Sequence, residues 1–277
     1  MFNAVVLSTN LDRTFFDFLP VTYVAWRKWF DITPMCAVID KDNIGDSIRH
    51  QLINLGIWPY LTHVEPIAGI PQANYSKFAR LSLASILNDR HAIAHTDTVC
   101  TIHDMDSIPL QSAYAKGIMS GYESGKLLAV GHEVYNNGKF PMSFVTGTPS
   151  TFKRAINPDN MPFKTLVRSC IGTRIHDDKE DISNAPDQFS DESLLRALMT
   201  RNNFQDVVKQ PRNVNVRHDW IDRSWWNELN VDKLRAGGYT ECNFLRPLHQ
   251  HIDQIMPVLE YVCDGTEFTP NDLILKY

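Results

Sequence analysis

Two aspartates separated by one residue, Asp104 and Asp106, end the apolar, β-branched run Asp97-Thr-Val-Cys-Thr-Ile-His-Asp-Met-Asp. Side chains two apart on an extended strand point the same way. Both carboxylates therefore converge on one point as the strand leaves its sheet. Close carboxylates repel, so such a pair calls for a cation between them. Hard oxygen ligands suit Mg²⁺ or Mn²⁺, usually shared with substrate phosphates. The competing reading is an acidic turn closed by Pro109. Upstream, Lys77 and Arg80 lie three apart on a predicted helix over Asn74–Leu87 and share a face. They are either two solvated basic residues or a pair of cations gripping a diphosphate beside the aspartates.

The elements that must position these groups alternate through the first half. Strands are predicted at Ala4–Ser8, Met35–Ile39, Leu61–Glu65 and Thr98–His103, with helices near Phe15–Phe30, Ile44–Leu55 and Asn74–Leu87 between them. This β-α-β-α-β-α-β order implies a mostly parallel central sheet flanked by helices. Ligands then collect outside the carboxyl ends of the strands. Three polar clusters fall at such ends: Ser8-Thr9, Asp40, and Asp104 with Asp106. The second half is less regular. Strands are expected at Lys126–Gly131 and Ser143–Gly147, with Gly147-Thr148-Pro149-Ser150 opening a helix. A polar loop is expected over Arg174–Asn184, and further helices over Asp187–Met199 and Pro247–Val262. With no repeat, low-complexity tract or strong linker, one α/β domain over residues 1–277 is expected. Its regular half would be residues 1–110 and its irregular half residues 111–277.

Composition narrows the partners. The net charge of −5 without a long basic run argues against nucleic acid. Five scattered cysteines, with no Cys-x-x-Cys pair, suit neither a disulfide framework nor a structural zinc site and point to a reducing compartment. No stretch reaches the roughly 18 apolar residues of a transmembrane segment, and the N-terminus turns polar too soon for a signal peptide. The expectation is a soluble, cytoplasmic protein.

An N-terminal α/β half, a Lys-x-x-Arg helix and then Asp-Met-Asp after an apolar strand together resemble the GT-A family of nucleotide-sugar-dependent glycosyltransferases. The resemblance covers residues 1–150 well and the rest loosely. It is similar to small stand-alone enzymes of bacterial or large-virus type, which for a virus would mean the host cytoplasm. It implies a GT-A-like, Rossmann-type fold, with residues 1–110 the nucleotide-binding half and residues 111–277 the donor-sugar and acceptor half, a nucleoside diphosphate sugar donor (UDP-sugars being the family default) and a glycan or glycoconjugate acceptor. It also implies Mn²⁺ or Mg²⁺ as cofactor, with Asp106 the principal ligand and Asp104 touching the metal or the donor ribose. Ser8, Thr9 and Asp40 would meet the nucleoside, and Arg80 and Lys77 the phosphates or the aspartates. No Gly-Gly pair follows the metal strand as in many members. Gly147-Thr148 is the substitute for close backbone approach to the donor sugar.

The same resemblance places an acceptor-activating base at the start of a helix in the second half. Ser190-Asp191-Glu192 fits, with Asp191 ahead of Glu192. The plain alternative is a Ser190 N-cap followed by acids that suit the helix dipole. A late histidine often completes the metal site in such enzymes. His218 is the candidate, with His249 and His251 behind it, although a lone histidine is more often a packed or surface residue. Trp220, Trp225 and Trp226 are either a sugar-stacking platform or ordinary core. Asp222 and Arg223 read as a local ion pair. The rival enzyme is a haloacid-dehalogenase-like phosphatase, whose nucleophile motif is also Asp-x-Asp and whose later acidic pair Asp177-Asp178 could imitate. In that family the aspartate strand comes first, whereas here three β/α units precede it. A nucleotidyltransferase lacks its Gly-rich phosphate loop here, and a non-catalytic nucleotide- or sugar-binding protein would share the pocket.

Overall fold

The computed structural model describes residues 3–90, 98–113, 119, 121–130, 145–170, 191–210 and 219–277. Strand β1 (Ala4–Thr9) leads through helices α1 (Arg13–Phe16) and α2 (Leu19–Phe30) to β2 (Met35–Ile39). Helix α3 (Asp46–Asn54) precedes β3 (Leu61–Val64), and the long α4 (Gln72–Arg90) precedes β4 (Cys100–Ile102). Strands β5 (Ser107–Pro109), β6 (Leu127–Val130) and β7 (Val145–Gly147) follow, then α5 (Pro149–Ile156), α6 (Phe163–Cys170) and α7 (Asp191–Arg201). The chain continues through β8 (Val207–Gln210), β9 (Trp220–Ile221), α8 (Val231–Arg235), β10 (Glu241–Asn243) and α9 (Ile252–Cys263).

Among the described residues seven strands form one sheet in the order β3-β2-β1-β4-β7-β6-β8. Its first four strands run parallel, β7 is antiparallel to both neighbours, and β8 is parallel to β6. The protein is thus a mixed α/β molecule built on a mostly parallel sheet with helices on both faces. Strand β1 explains why. Val5 and Leu7 point into one core with α2, α3 and α9, while Ala4 and Val6 point into a second core with α4, α5, α6 and α7. A strand covered on both faces reads as a continuous apolar run. All five cysteines are free and buried. Among the described residues no helix is long and apolar enough to cross a membrane.

Three features differ from the sequence expectation. The helix predicted over Phe15–Phe30 is two helices. Asp12 caps α1 through the Thr14 amide, and α2 restarts with Pro20 in its first turn, where a missing N–H costs little. The helix predicted from Pro247 begins as a 3-10 turn at Leu248–Gln250, and α9 follows from Ile252. The largest difference is a second sheet, of order β5-β10-β9, which pairs Ser107 with Asn243 and Pro109 with Glu241. Such pairings join segments more than a hundred residues apart and leave no local periodicity to read. The polar run 174–184 lies outside the described residues.

Candidate active site

Asp104 and Asp106 occupy the turn where the chain leaves the large sheet at β4 and enters the small one at β5. Several bonds fix that turn from below. Buried Thr22 on α2 donates its hydroxyl to the Met105 carbonyl at 2.7 Å. The Phe244 amide donates to the Asp106 carbonyl at 2.9 Å. Fully buried His103 bonds the Asp104 carbonyl through Nδ1 at 2.9 Å and meets Trp26 edge-on. Burial lowers its pKa, so the ring stays neutral and that nitrogen carries the donated proton.

The two carboxylates meet different cations. Arg80, almost wholly buried on α4, donates to the His103 carbonyl at 2.6 Å and to Asp104 Oδ1 at 2.8 Å. The Asp104 side chain remains 39% exposed, whereas that of Asp106 is 8% exposed. Asp106 Oδ2 is bonded by Arg223, and Arg246 Nε lies 3.1 Å from the same oxygen. Arg223 is itself aimed by Nε, which donates to the Phe244 carbonyl at 2.8 Å. Burial raises the Asp106 pKa and the neighbouring Asp104 charge adds to this, while Arg246 and Arg223 oppose it.

A cavity of about 300 Å³ opens onto this turn. One wall is the carboxyl end of β1, Ser8 and Thr9, with the start of α1 at Asp12 and Phe15. The opposite wall is the first half of α4, with Ser76, Lys77 and Arg80, and Arg246 closes it from beside β10. Because α4 runs back from the carboxyl edge of the sheet, its early residues fall at that edge. Ser8 Oγ donates to the Lys77 carbonyl at 3.3 Å, and Thr9 Oγ1 to the Asn10 carbonyl at 2.8 Å. The structure therefore brings Ser8, Thr9, Lys77, Arg80, Asp104 and Asp106 around one space.

Other expected residues fall elsewhere. Asp40 sits just past β2 on the same edge, in a left-handed conformation, but its carboxylate accepts from Asn43 and does not line the cavity. Gly147 and Thr148 need correction. Gly147 pairs with Cys100, the first residue of β4, at the opposite edge of the sheet from Asp104. A Cβ on Gly147 would come within 2.7 Å of Leu127 Cδ2, so the glycine admits a core leucine rather than a sugar. Thr148 caps α5 through the Thr151 amide. His249 is turned to buried Asp17 at 3.1 Å, and His251 to Gln254 at 2.9 Å, so neither faces the aspartates. His218 lies outside the described residues, as do Asp177 and Asp178 and the side chains of Asp191 and Glu192. Helix α7, which Asp191 and Glu192 open, passes into β8 at the edge where β4 begins. Trp226 is buried, donates to the Asn243 carbonyl and stacks on Phe244, whereas Trp225 is exposed.

Arg223 and Arg246 are the site residues that the sequence reading missed. Asp222 does not pair with Arg223; it accepts from the Ser224 amide as the cap of the segment Arg223–Glu228. Adjacent residues on a helical turn do not face one another, and that was the available signal. For Arg246, between Leu245 and Pro247, the sequence offers none.

The implied divalent cation meets a specific obstacle. The two aspartates have the right donor chemistry, but Arg223 and Arg246 already hold Asp106 at one oxygen. Among the described residues no further His, Cys, Asp or Glu joins the pair in a metal-binding group. As arranged, these residues do not fit a metal centred on Asp106.

No family model matches the chain, and no curated protein does. Among solved structures it is similar, at a distance, to LgtC. An active-site mutant of LgtC is 12% identical, with 87% of this chain and 86% of that one covered and a TM-score of 0.47. A 4-diphosphocytidyl-2C-methyl-D-erythritol synthase is 11% identical, with 61% and 85% covered and a TM-score of 0.37.

Proposed function

We infer that the chain is a glycosyltransferase that moves a sugar from a nucleoside diphosphate sugar, a UDP-sugar as the first donor to try, to a hydroxyl of a glycan or glycoconjugate. The observation that carries this reading is the cavity itself. At the carboxyl edge of a parallel sheet, paired carboxylates and a set of cations surround a space large enough for a nucleotide. When the acceptor hydroxyl attacks the anomeric carbon, the bond to the diphosphate breaks and negative charge grows on the leaving oxygen. Cations fixed at that point stabilise the charge without reorganising. Asp191, ahead of Glu192, is the proposed base that takes the hydroxyl proton in an inverting reaction. Trp225 is the proposed contact for an acceptor sugar ring.

Mn²⁺ or Mg²⁺ on Asp104 and Asp106 is the other way to hold the diphosphate, and it would have to displace the two arginines from Asp106 Oδ2 or bind the other oxygen against their charge. The phosphatase reading needs Asp104 as an attacking nucleophile, whereas here the carboxylate is bound to a buried guanidinium. A non-catalytic binding protein would keep the cavity and lack turnover. A screen of nucleotide sugars by thermal shift, followed by donor hydrolysis, tests the proposal. One nucleotide sugar should stabilise the protein and be slowly hydrolysed; stabilisation by none, with turnover of a generic phosphate ester, would sink the transferase. Asp191→Asn should keep donor binding and lose transfer by roughly 10²–10⁴-fold, and near-normal transfer would remove Asp191 from the mechanism.

A further inference from the structure

Lys77 lies exposed at the cavity wall, and among the described residues its ammonium has no carboxylate partner. It lies over the Phe15 ring, 6.0 Å from Nζ to the centroid. Arg246 stands by the same ring, with its guanidinium carbon 5.0 Å from that centroid. Nε of Arg246 faces Asp106, and among the described residues no carboxylate but Asp106 lies within ion-pair distance of it. Two cations with donors to offer thus share one aromatic ring, and both line the cavity.

The charges around them matter as much. A divalent ion is needed beside two strand-end aspartates because their charge would otherwise repel a diphosphate. Here Asp104 already has Arg80, and Asp106 has Arg223 and Arg246. Among the described residues the cavity wall carries three cations, Lys77, Arg80 and Arg246, against three carboxylates, Asp12, Asp104 and Asp106. With Arg223 behind Asp106 the count is four against three, so the carboxylates are already offset by side-chain cations before any metal arrives. A planar guanidinium also offers paired N–H donors that match phosphate oxygens.

We propose that the site binds the diphosphate of a nucleoside diphosphate without a divalent cation, between Lys77 and Arg246, with Arg223 holding Asp106 neutralised behind them. This rests on the glycosyltransferase reading and replaces the metal in it with side chains of the chain itself. The two aspartates then act as anchors that aim arginines, rather than as metal ligands.

The test is calorimetric titration of the full chain with UDP, GDP, CDP and ADP, each in EDTA and in Mn²⁺. One nucleotide should bind in EDTA with an affinity within about twofold of that in Mn²⁺. Lys77→Gln and Arg246→Gln should each weaken it by roughly ten- to a hundredfold, the loss of one charge-assisted hydrogen-bond set. Lys77 is exposed, so its variant keeps the test open if Arg246→Gln folds poorly; Arg246→Lys should fall between. Binding seen only with Mn²⁺ would overturn the metal-free clamp and leave the transferase standing. Metal-free binding unchanged in Lys77→Gln and in Arg246→Gln or Arg246→Lys would overturn the assignment of residues. No binding by any of the four in either buffer would overturn the clamp and the nucleotide-dependent reading together.

Discussion

Arg80 sets the position of the Asp104 carboxylate and is itself held by the backbone that carries Asp104, through the His103 carbonyl. A buried guanidinium is tolerated only when its charge is met and its donors are used. Arg80→Met should therefore cost roughly 2–4 kcal/mol. It should also weaken nucleotide binding, because Asp104 would lose its anchor; chemical denaturation and titration on the same variant check both effects. Thr22 acts at the same point from the other side. Thr22→Val keeps the shape and removes the donor to the Met105 carbonyl, leaving a buried carbonyl short of a partner. A loss of about 1–3 kcal/mol is expected, measured as a lower urea midpoint with an unchanged slope. An unaltered midpoint would mean that the turn does not depend on that bond.

At the scale of elements, the β4-to-β5 turn works because each end is held in a different sheet. Strand β4 is locked between β1 and β7, and β5 is locked to β10. Strand β10 leads directly to Phe244, whose amide and carbonyl reach Asp106 and Arg223, and then to Arg246. The small sheet thereby delivers to the aspartates the arginine that follows it. The far edge of the large sheet has a separate job. Gly147→Ala would force a methyl against Leu127, so stability should fall by about 1–3 kcal/mol. Nucleotide affinity should stay unchanged, since Gly147 sits at the edge away from the cavity. A large loss of affinity in a folded Gly147→Ala protein would restore the donor-sugar role that the sequence suggested for it.

Across the whole molecule, the segment after α9 closes over α3 and the end of α1. Gln51 Nε2 donates to the carbonyls of Asp272 and Ile274, and its side-chain oxygen accepts from the Lys276 amide. The Tyr277 hydroxyl donates to Asp17, the same buried carboxylate that meets Arg13 and His249. Beneath them Leu273 and Leu275 enter the core on the α2 face of the sheet. Gln51→Ala should loosen this closure, cost about 1–3 kcal/mol and raise amide exchange at residues 274–276 while that of β1 is preserved. Equal exchange in both proteins would show that the two leucines hold the segment without Gln51.

What the sequence determined by itself is local or periodic. The apolar runs of β1, β2 and β4, the long α4 and the order of β/α units placed Ser8, Thr9, Lys77, Arg80, Asp104 and Asp106 at one edge of a parallel sheet. That follows because strand direction and helix reversal are consequences of short-range pattern and connection rules. Tertiary structure alone decided which groups face those aspartates. Arg223 and Arg246 reach Asp106 from 117 and 140 residues away in sequence. They do so through a small sheet made of strands only two or three residues long. Gly147, legible as a flexible glycine, proved to be placed by strand register at the wrong edge for a donor sugar. Pairing of distant short strands leaves no periodic trace, so the sequence could specify two carboxylates in need of a cation but not that the protein brings guanidiniums to them.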